Sequence, residues 1–190
     1  MDTWGGSGNN CYLRVIPRFR ACKTLVYDRD AMQAKGLVTD FPYEQFFDLR
    51  PNDLLRPSWI EDRPVTRLVH VPAGVAQIAL VDVRADGTPG VVLPHIATQP
   101  GCELYYVPPG IALGVQAIAD PTRVHIRWSE DPRPLTHHCI DHKDSGLFVP
   151  GDDEPEPFDW LMEPARPFSP PGAIIQTIEE YERGGALYQP

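Results

Sequence analysis

The chain has 190 residues, 42% of them hydrophobic, and a formal net charge of −9. A chain of this length is expected to form about one domain with its own core, and the composition excludes intrinsic disorder. The acidic balance argues against non-specific nucleic-acid binding, which needs clustered basic side chains, and no apolar run approaches the roughly 18–20 residues that span a bilayer.

Residues 1–64 are predicted to form an N-terminal arm and connector. The first ten residues have neither a cationic start nor an apolar stretch, so we expect no secretory signal and synthesis in the cytoplasm. Residues 11–16 and 21–27 have the composition of short strands and are close enough in sequence to pair as a hairpin. Capping and turn residues favour short helices over residues 28–35 and 42–49, and the remainder is predicted to be irregular chain.

Residues 65–130 are predicted to form a β core. Six apolar runs in this segment are rich in Val, Ile and Tyr and have the length of strands: 65–71, 76–84, 91–96, 102–107, 111–118 and 122–128. Turn signals separate them at roughly 8–12 residues, which is typical of sandwiches and barrels, and Pro94 marks the third run as an edge strand. The predicted fold is mainly β: a small antiparallel β-sandwich or barrel of jelly-roll type with extended Pro-rich arms and a short C-terminal helix.

The chain after this core is predicted to be mostly extended. Residues 131–172 are a Pro-rich acidic loop region, and residues 173–190 are a C-terminal helix and tail. Ile174, Ile178 and Tyr181 share one face of a helix predicted over residues 173–183. The four cysteines are expected to be free thiols, because no export signal accompanies them.

Half of the six histidines lie between residues 136 and 144. His137, His138, Cys139 and His142 offer imidazole and thiolate ligands, so a zinc site is one hypothesis for this segment. The other hypothesis, which we adopt, is a polar loop, because neither a CxxC pair nor an apolar helical stripe accompanies the cluster. No nucleophile motif is present either, so we expect no metal, no cofactor and no catalytic residue.

A second pattern lies between residues 95 and 114. His95, Glu103 and the Pro-Pro-Gly turn at 108–110 follow one another in a stretch that resembles the middle of a cupin, a small barrel whose histidines and glutamate hold a metal. The residues after His95 are apolar where that family has a second histidine, and Leu113 stands where its later motif has another. The resemblance therefore implies barrel-like strand and turn spacing without metal chemistry.

The function predicted from these features is that of a non-enzymatic assembly protein, in particular a virion component such as a capsid, decoration, connector or tail protein. The β core looks too small to hold so much proline-stiffened chain, so we expect neighbouring subunits, including copies of the chain, to hold its arms by strand addition. Interface candidates are Trp4, Arg18, Arg20 and Trp160, because aromatic and arginine side chains dominate interface energetics. The expected partners are proteins, with no nucleic acid and no membrane.

The alternative prediction is a small cupin-like β-barrel enzyme or metal-binding protein. It would use His95, Glu103 and His125, or the cluster from His137 to His142. A ligand-binding module without chemistry is a third hypothesis, which the sequence neither supports nor excludes.

Overall fold

The computed structural model describes residues 3–4, 13–16, 21–24, 29–34, 36–38, 40–97, 104–151 and 154–189, with backbone alone for the residues before 29 and for residues 31 and 95. These parts of the chain form two short helices and sixteen strands. The helices are α1 (Arg29–Gln33) and α2 (Ile178–Gly184). The strands are β1 (Thr3–Trp4), β2 (Leu13–Ile16), β3 (Ala21–Thr24), β4 (Tyr43–Leu49), β5 (Asp53–Ile60), β6 (Arg67–Ala73), β7 (Ala76–Asp82), β8 (Val92–Ala97), β9 (Leu104–Val107), β10 (Ile111–Ala117), β11 (Thr122–Trp128), β12 (His137–Ile140), β13 (Phe148–Val149), β14 (Glu156–Pro157), β15 (Arg166–Phe168) and β16 (Ile174–Gln176).

Two large sheets hold most of these strands. The first has the order β1-β2-β3-β9-β6-β11-β4, and the second has the order β16-β12-β5-β10-β7-β8, with β15 also paired with β5. Pairing is antiparallel except in the β12–β16 and β15–β5 pairs, which are parallel. The chain is therefore mainly β, with mixed sheets.

The main core lies between the inner faces of the two sheets. Val69 and Val124 come from the first sheet, Ile78 and Leu113 come from the second, and all four are fully or almost fully buried. Side chains alternate between the two faces of a strand, so the apolar positions of these strands meet in one layer. The layer also includes Leu49 of β4 and Ile60 of β5, which lie outside residues 65–130.

The outer face of the second sheet is covered by the C-terminal part of the chain. Trp59 of β5 and Ile140 of β12 pack against Tyr181 of α2 and against Leu187, and all four side chains are buried. The Tyr181 hydroxyl lies 2.9 Å from the Cys139 carbonyl oxygen, which ties α2 to β12. This segment folds back onto its own sheet and does not extend away from it.

The predicted C-terminal helix is shorter than its apolar pattern indicated. Ile174 belongs to β16, which pairs with β12, and the helix begins only after Thr177. The Thr177 side chain accepts a hydrogen bond from the backbone of Glu180, whose carboxylate in turn accepts one from the Thr177 backbone. This capping box fixes the start of the helix, and Gly185, at a φ of 68°, ends it as predicted.

The chain before Val65 also differs from the prediction. The helix expected over residues 42–49 is strand β4, which pairs with β11 along its whole length. The irregular chain expected from residue 50 contains β5, the partner of both β10 and β12. Short apolar runs do not distinguish helix from strand by periodicity, and here the open edge of β11 supplies backbone hydrogen-bond partners for β4.

Other predicted elements agree with the structure. The six apolar runs correspond to β6 through β11, and the run at 122–128 matches β11 residue for residue. β7 and β8 pair across the predicted turn, and β8, which contains Pro94, is the last strand of its sheet. β2 and β3 pair as the expected hairpin. Within the described ranges, no helix is long and apolar enough to cross a membrane.

Candidate active site between the sheets

A cavity of about 560 Å³ lies between the two sheets beside β4, the end strand of the first sheet. Its walls come from β4, β5, β6, β10, β11 and β12, from Phe168 at the end of β15, and from the loop segments 132–133 and 169–171. Most wall residues are apolar: Phe46, Phe47, Leu49, Leu55, Leu113, Val115, Ile126, Trp128, Pro132, Phe168, Pro170 and Pro171. Ligand-binding cavities typically have volumes of about 300–1,000 Å³ with few polar groups, so this cavity is suited to a small molecule.

Arg67 is a buried cation in the wall of this cavity. It is 3% exposed, and its guanidinium donates to the carbonyl oxygens of Ser58, at 2.7 Å, and Ile111. The guanidinium carbon lies 5.6 Å from the centre of the Trp128 ring. Burial lowers the pKa of Arg67 to about 9, so the side chain remains charged at neutral pH.

Arg56 is the second cation in the wall and has a donor to spare. Its Nη1 donates to Ser169 Oγ at 3.0 Å and to the Pro167 carbonyl oxygen at 3.3 Å. Its Nε is buried and has no hydrogen-bond partner among the residues that the structure describes. A buried donor without a partner is costly, which favours a bound group that accepts from it.

His137, the first residue of β12, also lines the cavity. Its Nε2 lies 2.7 Å from the Pro132 carbonyl oxygen, and its ring meets the Trp128 ring edge-on with centroids 6.1 Å apart. A carbonyl only accepts hydrogen bonds, so Nε2 carries the proton and Nδ1 has the lone pair. Nδ1 is buried and makes no hydrogen bond within the described chain.

The surroundings of His137 also keep its ring neutral. Burial has the largest effect on the pKa of His137 and lowers it; the hydrogen bond to Pro132 opposes this, and the charge of Arg67 reinforces it. A neutral imidazole with one nitrogen oriented and the other free is the arrangement of a general base. The cavity thus combines a base with two cationic side chains.

The other members of the histidine and cysteine cluster do not join His137. His138 points to the other side of β12, where it stacks on Trp59 with ring centroids 5.2 Å apart. Cys139 is buried near Ser169; burial raises its pKa to about 11, which keeps the thiol protonated. His142 lies after the strand. Alternation along β12 puts His138 on the face opposite to that of His137 and Cys139, and no three metal-binding side chains converge in the described residues.

The remaining candidates lie away from the cavity or outside the described residues. His125 lies 3.0 Å from a Glu44 carboxylate oxygen and stacks on Phe46, and it is not part of the cavity wall. Trp160 packs edge-on against Phe158 within its own chain, with ring centroids 5.1 Å apart.

Of five further predicted positions, two are described by their backbone alone and three are not described. Trp4 is in β1, where it pairs with Leu13 of β2, and His95 is in β8 opposite Ile78; only the backbone of these two positions is described. Glu103, Arg18 and Arg20 lie outside the described residues.

The sequence prediction missed both arginines of the site. Arg67 carried a signal, since it is a charged residue inside an apolar run and occupies an inward-facing position of β6. No comparable sequence signal marks Arg56, because its segment was predicted to be irregular. His137 was singled out, but as a possible metal ligand and not as a base.

Comparisons with known proteins place this geometry in context. No family model matches the sequence, and no curated protein matches it significantly. Several solved structures match the fold. NovW, a 4-keto-6-deoxy sugar epimerase from the novobiocin biosynthetic gene cluster of Streptomyces spheroides, gives a TM-score of 0.77 at 17% identity, over 98% of this chain and 96% of its own.

Two further epimerases are similar over nearly the whole chain. The dTDP-6-deoxy-D-glucose-3,5-epimerase RmlC of Legionella pneumophila, solved with dTDP-4-keto-L-rhamnose, gives a TM-score of 0.75 at 14% identity, over 95% of this chain and 98% of its own. The RmlC epimerase of Mycobacterium tuberculosis gives a TM-score of 0.66 at 18% identity, over 100% of this chain and 94% of its own. The fold is therefore the cupin-type β-barrel of the sugar epimerases.

These neighbours correct the predicted function. The prediction of a non-enzymatic virion component, with the subunits of a larger assembly as partners, is wrong, because the fold matches sugar epimerases along almost the entire chain. The physical premise fails as well, since the segments taken for arms form strands β4, β5 and β12 or cover the second sheet. The alternative prediction, a cupin-like β-barrel enzyme, is the one that the neighbours support.

Proposed function

We propose that this chain is a sugar epimerase, an enzyme that removes and returns a proton at a sugar carbon next to a carbonyl group. The observation that carries the proposal is the neutral imidazole of His137 in the wall of a small-molecule cavity beside Arg56 and Arg67, with a buried Nδ1 that makes no hydrogen bond within the described chain. A base and a cationic group that stabilises the resulting oxyanion are the two parts that such a reaction requires.

The chemistry assigned to each residue follows from its free atoms. His137 Nδ1 takes the proton as the carbon–hydrogen bond breaks, and the bonding electrons form a carbon–carbon double bond while the carbonyl oxygen becomes negative. The Arg56 Nε donates to that oxygen, and the charge of Arg67 lowers the energy of the same intermediate. A solvent-derived proton added to the opposite face then gives the epimer.

The neighbours indicate a class of substrate. The Legionella protein was solved with dTDP-4-keto-L-rhamnose, and the 3'-monoepimerase ChmJ of Streptomyces bikiniensis was solved with dTDP-quinovose. By this likeness the sugar of the present chain occupies the cavity, and a linked nucleotide reaches toward Arg133, a wall residue whose side chain is 78% exposed.

Deuterium incorporation from heavy water tests the proposal. The protein is incubated with dTDP-4-keto-6-deoxyglucose, D-glucuronate and D-galacturonate, and each sugar is analysed by NMR for deuterium at carbons flanking the carbonyl group. We expect exchange in at least one sugar, and its loss when His137 is replaced by Gln. Exchange in none of the three, with folded protein, contradicts the proposal.

A further inference from the structure

Of the three arginines in the cavity wall, Arg133 is paired with Asp131, whereas Arg56 and Arg67 have no carboxylate partner among the described residues. Arg67 bonds only to backbone carbonyl oxygens, and Arg56 bonds only to a hydroxyl and a backbone carbonyl. Asp48, the acidic residue of the cavity wall, is already held by Arg123 at 2.6 and 3.1 Å. Buried charges are normally paired, so the cavity has a positive charge that a ligand must balance.

Arg56, Arg67 and His137 all line the same cavity, and strand pairing connects their positions. Arg67 donates to the carbonyl of Ser58, two residues after Arg56 on β5. Ser58 is the register partner of Cys139, which follows His137 by two residues on β12.

We infer that the ligand's anionic group binds at Arg56 and Arg67 beside His137, and that this group is a carboxylate, so that the substrate is a sugar acid. The inference rests on the proposed function and narrows its substrate class. Nε of Arg56 has no hydrogen-bond partner among the described residues, and the two hydrogen bonds of this guanidinium both come from Nη1. Nε and Nη2 form the other edge of the planar guanidinium, the edge that matches the two oxygens of a carboxylate.

The reaction chemistry favours the same assignment. When a proton leaves the carbon next to a carboxylate, the carbon–hydrogen bond breaks, the proton goes to His137 Nδ1, and the electron pair forms a carbon–carbon double bond. The carboxylate oxygens then carry two negative charges, which two guanidinium groups balance. Return of a proton to the other face of the carbon restores the carboxylate in the epimer, with no oxidant or reductant required.

The experiment measures binding by calorimetry, independently of turnover. The probes are D-galacturonate and D-glucuronate, the methyl ester of each, which has the same shape without the charge, and thymidine diphosphate. For the acid that binds more tightly, we expect its ester to bind about tenfold more weakly or worse, because a charge-assisted hydrogen bond is lost. Arg56→Gln is expected to weaken acid binding by a similar factor. Arg183→Gln, on the exposed surface of α2, is expected to leave it within about twofold.

A second variant guards against loss of the fold, since Arg56 also holds the 167–169 segment. Arg56→Lys keeps the charge but loses the two-donor edge, and with an unchanged melting temperature it is still expected to weaken acid binding about tenfold. Equal binding of acid and ester, binding of neither acid, or binding of thymidine diphosphate alone with the same Arg56 dependence overturns the inference. Binding of thymidine diphosphate alone would show that the anionic group bound at Arg56 is a phosphate.

The outcomes also separate this inference from the proposed function. Deuterium exchange in the keto sugar with no binding of the acids contradicts the sugar-acid assignment and leaves the epimerase in place. Charge-dependent acid binding with no exchange in any sugar contradicts the epimerase and leaves the carboxylate site in place.

Discussion

At the scale of single residues, the account depends on where His137 holds its proton. Replacing His137 with Gln preserves a donor for the Pro132 carbonyl oxygen and removes the basic Nδ1. We expect the fold to persist and the rate of solvent exchange into substrate to fall by about 10²-fold or more, the contribution typical of a general base.

The matched control for this variant is His142→Gln. His142 is two residues beyond the end of β12 and does not line the cavity, so its replacement is expected to leave the exchange rate within about twofold. Equal rates for the two variants would show that His137 is not the base.

Protonation of His137 is expected to determine how the exchange rate falls at acidic pH. Burial lowers the pKa of His137 below the ordinary histidine value of about 6.5, so the neutral, basic form is present above this lowered pKa. The exchange rate is therefore expected to stay level as the pH falls through 6.5 and to decrease only at lower pH. NMR titration of the His137 ring gives the midpoint directly, and a midpoint at or above 6.5 would contradict the assignment.

The lowered pKa of His137 also makes the stability of the fold depend on pH. A histidine whose pKa is lowered on folding binds its proton in the unfolded chain first, so the folded state loses stability as the pH falls below about 6.5. Burial lowers the pKa of His70 and His142 in the same way, and both contribute in that direction. Urea unfolding at a series of pH values between 5 and 8 would measure the combined slope.

At the scale of elements, an ion pair between Arg166 and Asp53 helps to hold β15 against β5. Arg166 donates to both carboxylate oxygens of Asp53, at 2.7 and 2.6 Å, and Asp53 is only 1% exposed. Burial favours the neutral form of Asp53, but the hydrogen bonds from Arg166 and from the Arg50 backbone outweigh it and lower the pKa of Asp53. The pair therefore joins β15, and the cavity wall that follows it, to β5.

Arg166→Gln is expected to reduce the free energy of unfolding measurably, because it leaves the buried Asp53 carboxylate short of its partner. Urea unfolding measures the loss. The difference from the wild-type chain should be full above about pH 3.8 and shrink as the pH falls through the lowered pKa of Asp53, since protonation removes the charge.

Arg183→Gln again serves as the control, because its pair with Glu179 is exposed on α2 and contributes at most about 0.5 kcal/mol. If the two variants lost the same stability, the Asp53 pair would not be holding the wall of the cavity.

How far the sequence predicts these elements depends on whether their partners are local. β6 through β11 were predicted because apolar runs and the turn signals between them are properties of adjacent residues. β4 was mistaken for a helix because only its pairing with β11, some eighty residues later, makes it a strand. The site was missed for the same reason, since Arg56, Arg67 and His137 meet only through the packing of two sheets.

At the scale of the whole molecule, the C-terminal third belongs to the same packed body as the sheets. The Tyr188 amide donates to the Val83 carbonyl oxygen at 2.9 Å, and the Phe158 amide donates to the Leu147 carbonyl oxygen at 3.0 Å. Hydrogen exchange on the isolated chain is therefore expected to show protection of these amides without any added partner.

Hydrogen exchange at these amides also tests whether the C-terminal segment folds without a partner molecule. Exchange at these amides as fast as in a denatured control would mean that the C-terminal segment needs another molecule to hold it, which would revive the premise of the virion prediction. Protection at a level near that of β7 and β10 would place the segment in the same cooperative unit.

The most direct test of the central claim is a crystal structure of the complex with the sugar that binds most tightly among those in the exchange experiment. We expect the sugar in the cavity between the sheets, with a carbon next to its carbonyl group within about 3–3.5 Å of His137 Nδ1 and a carbonyl oxygen at hydrogen-bond distance from Arg56 Nε. A sugar bound elsewhere on the protein, or one whose reactive carbons all face away from His137, would contradict the account.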